Sequence, residues 1–392
     1  MAARAIRLAL LLLLLPAATQ AGVLAEDRAD MMYHRYQGGG LTVQGPSVLV
    51  RKKFGESFAA TANYYVDAIS SASIDVVVSG ASPYKERRDQ KSLAVEYLRG
   101  KSTWSGSYLT SSENDYKAST WSLGVSQDMF GDLTTVSIGY SRGNDTIWKM
   151  IDDGSGDTIR DPDFRRQVDR HSYRVGVTQV LTRDLLLSLN FETVTEEGYL
   201  QNPYRSMRYL PAPGSPVSAR APEIFPSTRT GNAGSARLKY YLPWRAALEG
   251  QYRYYGDTWD IRAHTAKLEY THPLKRWNFS GSYRFYSQNS AEFFSDLFPA
   301  IDAQNFMARD KETSALKGHT IGLGAAYEFP VDWASSWLKR GTATLRIDHM
   351  MIDYSQFRDL RPDSVATGTQ PGNEPLYSLS ANIIQFYLSF WF

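Results

Sequence analysis

The chain of 392 residues contains no cysteine. That absence removes a disulfide scaffold, thiolate metal sites, iron–sulfur ligation and covalent haem attachment. An excess of one charge sign is missing too: Lys+Arg 43 stand against Asp+Glu 41, a formal net charge of +2. A nucleic-acid footprint needs a basic surplus, so no nucleic-acid partner is expected. Long hydrophobic runs are scarce, and the mean hydropathy of −0.38 rules out a polytopic helical membrane protein. The one apolar run, Leu8–Leu15, follows Arg4 and Arg7 and precedes Thr19-Gln20-Ala21. A charged start, a short apolar core and a small-residue exit read as a secretory signal peptide over residues 1–21. An exported chain without cysteine reads as bacterial envelope material.

What is present is alternation. Thr134, Val136, Ile138 and Tyr140 interleave with Thr135, Ser137, Gly139 and Ser141, and Trp277, Phe279, Tyr283 and Phe285 lie among polar neighbours. Period two sustained over this length is the strand signal, and the segments suit tilted membrane-spanning strands. It predicts strands at 30–37, 46–54, 57–67, 91–99, 102–110, 117–127, 133–142, 170–181, 184–196, 233–242, 245–255, 259–271, 276–287, 317–329, 341–353 and 378–392. Tight turns such as Gly55-Glu56, Gly100-Lys101 and Thr182-Arg183 alternate with longer excursions at 68–90, 143–169, 197–232, 288–316 and 354–377. Apart from Pro16, the prolines fall outside the expected strand interiors, as a continuous ladder requires. The expected fold is all-β: one transmembrane antiparallel β-barrel over 22–392. It would have about 16 strands, an even number, with periplasmic termini and extracellular long loops.

The C-terminus adds a specific signal. Ile384, Phe386, Leu388, Phe390 and Phe392 alternate through to the last residue. This ending resembles the signal that the barrel assembly machinery reads, so that machinery and outer-membrane lipid are expected partners. On the strands, charges must avoid lipid, where each would cost a few kcal/mol near the midplane. Arg174, Glu192, Arg237, Lys239, Glu249, Arg253, Lys267, Glu269, Arg284, Glu328, Arg346 and Asp348 are therefore expected to face the lumen. Ion-pair ladders that stiffen the wall and a selectivity filter are both open readings, and the basic surplus would mildly favour anions. The proline-rich segment 197–232, with Arg205, Arg208, Arg220 and Arg229, is a candidate constriction loop, with a plain surface loop as the alternative. Segment 288–316 carries Phe293, Phe294, Leu297, Phe298 and Phe306, which calls for something to pack against.

Catalytic and metal signatures are weak. Asp152-Asp153-Gly154-Ser155-Gly156-Asp157, with Asp161 and Asp163, has part of a calcium-loop pattern but lacks its spacing and terminal Glu, and reads as a solvated acidic turn. The six histidines have no paired-ligand spacing, and no Gly-x-Ser-x-Gly elbow occurs. Gly38-Gly39-Gly40 sits in an expected hairpin turn, where it would not cradle phosphate. No catalysis, metal or cofactor is expected.

Several stretches carry a resemblance. They include Arg28-Ala29-Asp30-Met31-Met32-Tyr33-His34, Gly45-Pro46-Ser47-Val48-Leu49-Val50-Arg51-Lys52, Asp128-Met129-Phe130-Gly131-Asp132, Asn202-Pro203-Tyr204-Arg205, Tyr283-Arg284-Phe285-Tyr286-Ser287, Ser295-Asp296-Leu297-Phe298-Pro299 and Ala308-Arg309-Asp310-Lys311-Glu312. Nearly the whole mature chain resembles the bacterial domain-of-unknown-function family 3570. The resemblance implies an exported outer-membrane barrel without an established activity, and association with an envelope lipoprotein or redox protein. The functional expectation is a channel or porin-like conduit, or the membrane-spanning part of an envelope complex. A structural or interaction barrel with a loop-plugged lumen is the alternative, and a barrel-borne enzyme with a Ser/His or carboxylate pair built across strands is a third reading.

Overall fold

Alternating sequence becomes strand along most of the chain. The computed structural model describes residues 23–71, 84–155, 158–331 and 337–392, so the expected signal peptide lies outside the described residues. The first nine strands are β1 (Arg28–Gly38), β2 (Leu41–Phe54), β3 (Phe58–Ser71), β4 (Tyr84–Arg99), β5 (Ser102–Ser112), β6 (Tyr116–Met129), β7 (Thr134–Asp152), β8 (Thr158–Thr182) and β9 (Leu185–Gly198). Two short strands follow, β10 (Ser206–Tyr209) and β11 (Ala219–Pro222). The remainder are β12 (Thr228–Tyr241), β13 (Ala247–Asp257), β14 (Arg262–Leu274), β15 (Trp277–Gln288), β16 (Leu316–Phe329), β17 (Arg340–Arg358) and β18 (Leu376–Trp391). All but β10 and β11 close into one barrel of antiparallel neighbours, with β18 paired to β1. Each strand expected from the alternation is one of these sixteen, and β10 and β11 form a separate two-stranded sheet.

The turns follow local chemistry. Gly39 and Gly40 both adopt positive φ, 58° and 77°, which lets a two-residue turn join β1 to β2 with the twist of the flanking strands. The connections at 55–57, 100–101 and 183–184 are short and share one end, while the β1–β2 turn leaves the opposite end together with the long connections at 199–227, 289–315 and 359–375. We call these the turn end and the loop end.

Three segments differ from expectation. β2 begins at Leu41, so Pro46 lies inside a strand. Proline has no N–H to give, and the β2–β3 pairing skips Gly45 and Pro46. A Cβ at Gly45 would run into the Val66 carbonyl, so only glycine lets β3 pass there. Segment 143–169 is mostly hairpin, because β7 runs on to Asp152 and β8 starts at Thr158. The shortfall arose because Ile147, Trp148, Met150 and Ile151 put apolar residues on both faces, so no clean apolar/polar alternation marks a strand there. Likewise β3 and β4 extend into 68–90, reaching Ser71 and starting at Tyr84.

Along each barrel strand one row is apolar and exposed. Ile138, Tyr173, Val175, Phe191, Leu238, Leu268, Ile321, Leu323, Leu345 and Ile347 belong to it. Apolar surface of this extent encircling a closed barrel is the lipid-facing band of a membrane barrel. The intervening row faces the lumen. At the turn end, Leu24 packs on Ala59 and Leu98, and the Asp27 carboxylate accepts from Lys52 Nζ at 2.6 Å and Lys53 N at 2.6 Å.

Candidate functional site

The twelve wall charges named from the sequence all lie on the inner row, because each is one residue away from an outward apolar neighbour. Arg174 sits between Tyr173 and Val175, and Arg346 between Leu345 and Ile347. Several pair. Arg174 Nε meets Glu192 at 2.6 Å across β8–β9, Lys267 meets Glu269 at 2.6 Å along β14, and Arg346 meets Asp348 at 2.9 Å along β17. Lys239 and Glu249 are 3.9 Å apart. Arg253 lies over Tyr255 at 5.6 Å, and Arg284 over Tyr286 at 5.4 Å. Arg237 and Glu328 have no ion-pair partner among the described residues. Such half-exposed pairs contribute about 0.2–1 kcal/mol each, so they order the wall more than they stabilise it.

The wall holds further networks that the sequence reading missed. Arg51 makes two hydrogen bonds to Glu96, at 2.9 and 2.7 Å. His34 Nε2 lies 2.7 Å from Asp67 and 3.1 Å from the Tyr65 hydroxyl, and Arg88 pairs with the second Asp67 oxygen. Asp145, only 1% exposed, binds Arg170 at 3.0 Å and the Tyr116 hydroxyl, while Arg170 reaches Glu196 at 2.7 Å. The available signal was charge in the inner register of β1–β4. Asp145 gives no sequence signal because its segment lacks the apolar/polar alternation of a lipid-facing strand.

The loop end is capped by segments from three connections. Arg208 on β10 binds Glu374 at 2.5 and 2.9 Å and Asp296 at 2.5 Å, and is 3% exposed. Arg309 joins Asp296 at 2.9 Å and lies over the Phe357 ring at 4.3 Å. Arg205 pairs with Asp310, and lies 3.3 Å from Glu312. Burial pushes the Glu374 carboxyl up, but the Arg208 bonds and charge and the Gly372 amide outweigh it and hold it down to about 2. Arg220 faces Arg208 across β10–β11; burial and that neighbouring charge push its guanidinium below its ordinary value. Arg229 belongs to β12, not to the loop, and binds Asp257 at 2.7 Å while stacking on Trp259 at 4.3 Å.

Apolar packing joins the same pieces. Phe225, Trp259 and Phe293 form one cluster with centroids 5.1–5.5 Å apart, and Met207, Phe298 and Met307 form another. Phe293, Phe294 and Phe298 of 288–316 thus pack within the cap, while Phe306 stays exposed. On the other side, the Tyr204 hydroxyl donates to Asp115 at 2.6 Å and accepts from Met150 N at 2.9 Å. The segment after β9 therefore reaches from the β5–β6 connection to that between β17 and β18. The segment is thus packed against other connections of the loop end.

Metal-like groupings are sparse. Glu86, Glu113 and Asp115 bring carboxylate oxygens within 4.8 Å of one another, a spacing common in acidic rims without an ion. In the expected acidic turn, Asp152 and Asp153 accept from Gly154 N at 2.7 Å and Ser155 N at 2.8 Å, so they cap their own turn. Gly156 and Asp157 lie outside the described residues.

A family model described as protein of unknown function (DUF3570) matches residues 5–339. The chain belongs to DUF3570. The fold of this DUF3570 member is similar to that of a bacterial polysaccharide outer membrane secretin, with 9% identity and TM-score 0.49, covering 94% of this chain and 100% of that one. It is also similar to a Pseudomonas aeruginosa FadL homologue, with 8% identity and TM-score 0.41, covering 94% and 90%. A loop-deletion mutant of OmpT, an outer membrane protein of Vibrio cholerae, gives 9% identity and TM-score 0.43, covering 93% and 98%. No curated protein matches the chain.

Proposed function

We propose that the protein is an outer-membrane conduit for small hydrophilic solutes, with passage controlled by the cap. The observation that carries this reading is the combination of a charged inner wall with loops joined to one another at the loop end by Arg208, Asp296 and Glu374. A sixteen-stranded wall encloses more volume than side chains fill, and a charged lining favours water and ions over a dry core. Among the twelve wall charges chosen from sequence, bases outnumber acids, so anions are favoured. Residues 1–21 would direct export and be removed. The reading assigns passage, not catalysis. Partners would be outer-membrane lipid and the barrel assembly machinery.

Planar-bilayer recording tests it. Small, anion-preferring currents are expected from the inserted protein, and larger ones from Arg208→Ala. Silence from both would overturn the conduit in favour of a plugged structural barrel. A second reading, the membrane-spanning part of an envelope complex with a lipoprotein or redox protein, is favoured by the β7–β8 hairpin. Its ladder pairing with β6 stops at Ile147 and with β9 at Val168, so the hairpin tip extends beyond both ladders, tied by Met150 N to the Tyr204 hydroxyl and by Arg160 to the Asn114 carbonyl. Cross-linking from residues of that tip would give a discrete partner band if this reading holds.

A further inference from the structure

At the loop end, a cleft of about 460 Å³ opens among Arg262, His264, Ser287, Lys317 and Ser355. The first four share the outward row of β14, β15 and β16, continuous with exposed Leu268, Tyr283 and Ile321 below them. Charged groups on the outside of a membrane barrel are costly within the lipid band and are favoured at its boundary. Here they gather at the boundary itself.

A level line supports that placement. His264 faces Ser287, which faces Lys317, so His319 is two residues further down β16. His319 faces Met351, so His349 is two further down β17. Strands about 4.8 Å apart and tilted by about 35–45° make a level line descend by about one residue per strand. These outward histidines therefore lie near one height. Two are held by a tyrosine of the band: Tyr252 reaches His264 Nδ1 at 2.7 Å, and Tyr283 reaches His319 Nδ1 at 2.7 Å. A hydroxyl that donates to Nδ1 leaves Nε2 with the hydrogen, ready to donate to an acceptor at the lipid surface.

We infer that this cleft binds the phosphate of a lipid headgroup in the outer leaflet, an inference that rests on the membrane reading above. Lys317 has no ion-pair partner among the described residues. Arg262 is shared with Asp260 at 2.8 Å, and Asp353 stands opposite Lys317 in the ladder. Those two acids leave the cleft short of a strong positive charge. Binding therefore depends on converging donors (guanidinium, ammonium, imidazole N–H and two hydroxyls) while the acyl chains lie on the band below.

The test uses the full-length protein inserted in phosphatidylcholine vesicles doped with bis-phosphorylated or dephosphorylated lipid A, followed by native mass spectrometry of retained lipid. The wild type should retain the phosphorylated lipid at least about tenfold over the dephosphorylated one, since charge-assisted bonds dominate. Arg262→Gln/Lys317→Gln should lose that preference, and Lys317→Arg should keep it. Heat-modifiable gel migration reports insertion for every variant. An inserted wild type without preference, or an inserted double variant that keeps it, would overturn the inference. Displacement of the lipid by inorganic phosphate alone would assign the cleft to free phosphate and overturn it too. Wild type that fails to insert overturns the membrane reading itself, and the inference with it.

Discussion

Arg208 balances two carboxylates in the cap, and its removal would leave Glu374 as a buried charge without a cationic partner, while Asp296 keeps only Arg309. Breaking such a pair from one side costs about 3–5 kcal/mol. Arg208→Ala should open the segment after β9 to limited proteolysis while heat-modifiable migration of the barrel persists. The pH response follows from Glu374. Its carboxyl is held at about 2 against an ordinary 4.5, so its contribution is complete above the upper value and fades as pH falls toward the lower. Proteolysis of the cap should therefore rise over that acid window, and Glu374→Gln should be loosened at neutral pH with a smaller acid step. On the wall, Gly322 leaves room for the Arg346–Asp348 pair, since a Cβ there would crowd the Asp348 carboxylate and come within 2.8 Å of the Arg346 guanidinium. Gly322→Val should split that pair and change the reversal potential measured under a salt gradient.

At the scale of elements, β18 is the clearest case of sequence speaking for structure. Phe386, Leu388 and Phe390 lie on its outward row, and Phe392 packs on Trp337 at 5.6 Å with Lys52 over its ring at 5.2 Å. Deleting Phe392 should lower the assembled, heat-modifiable fraction in cells several-fold, while purified protein still refolds in detergent with a β-rich circular dichroism spectrum. Alternation made the sixteen barrel strands legible because each repeats one local demand, lipid on one side and water on the other. Pro46 was misplaced because its tolerance depends on Gly45 and on where β3 passes. The cap was legible only as apolar and arginine-rich loops, since the partners of Arg208 lie 88 and 166 residues away. Local pattern carries no information about contacts at that separation. The outward histidines were likewise invisible as a group, because only the register of β14–β17 brings them to one height.

For the whole molecule, the closed circuit of strands means that the protein should survive in detergent as a compact, fast-migrating species below its melting temperature and run slower after boiling. Loss of that shift on unheated samples would contradict closure. The circuit closes where Arg28 meets Trp391 and Gly38 meets Ala381, so nearly the whole chain lies between the partners. Bringing such distant ends together costs about 5 kcal/mol of loop-closure entropy, and nothing is gained from the seam until both strands are present. Closure is therefore the last event in folding, and its rate is set by topology. Until then the protein is an open sheet with two unpaired edges, each a template for mispairing. Any chain truncated before Leu376 would remain in that state, which makes the seam a timer for quality control as much as a bond.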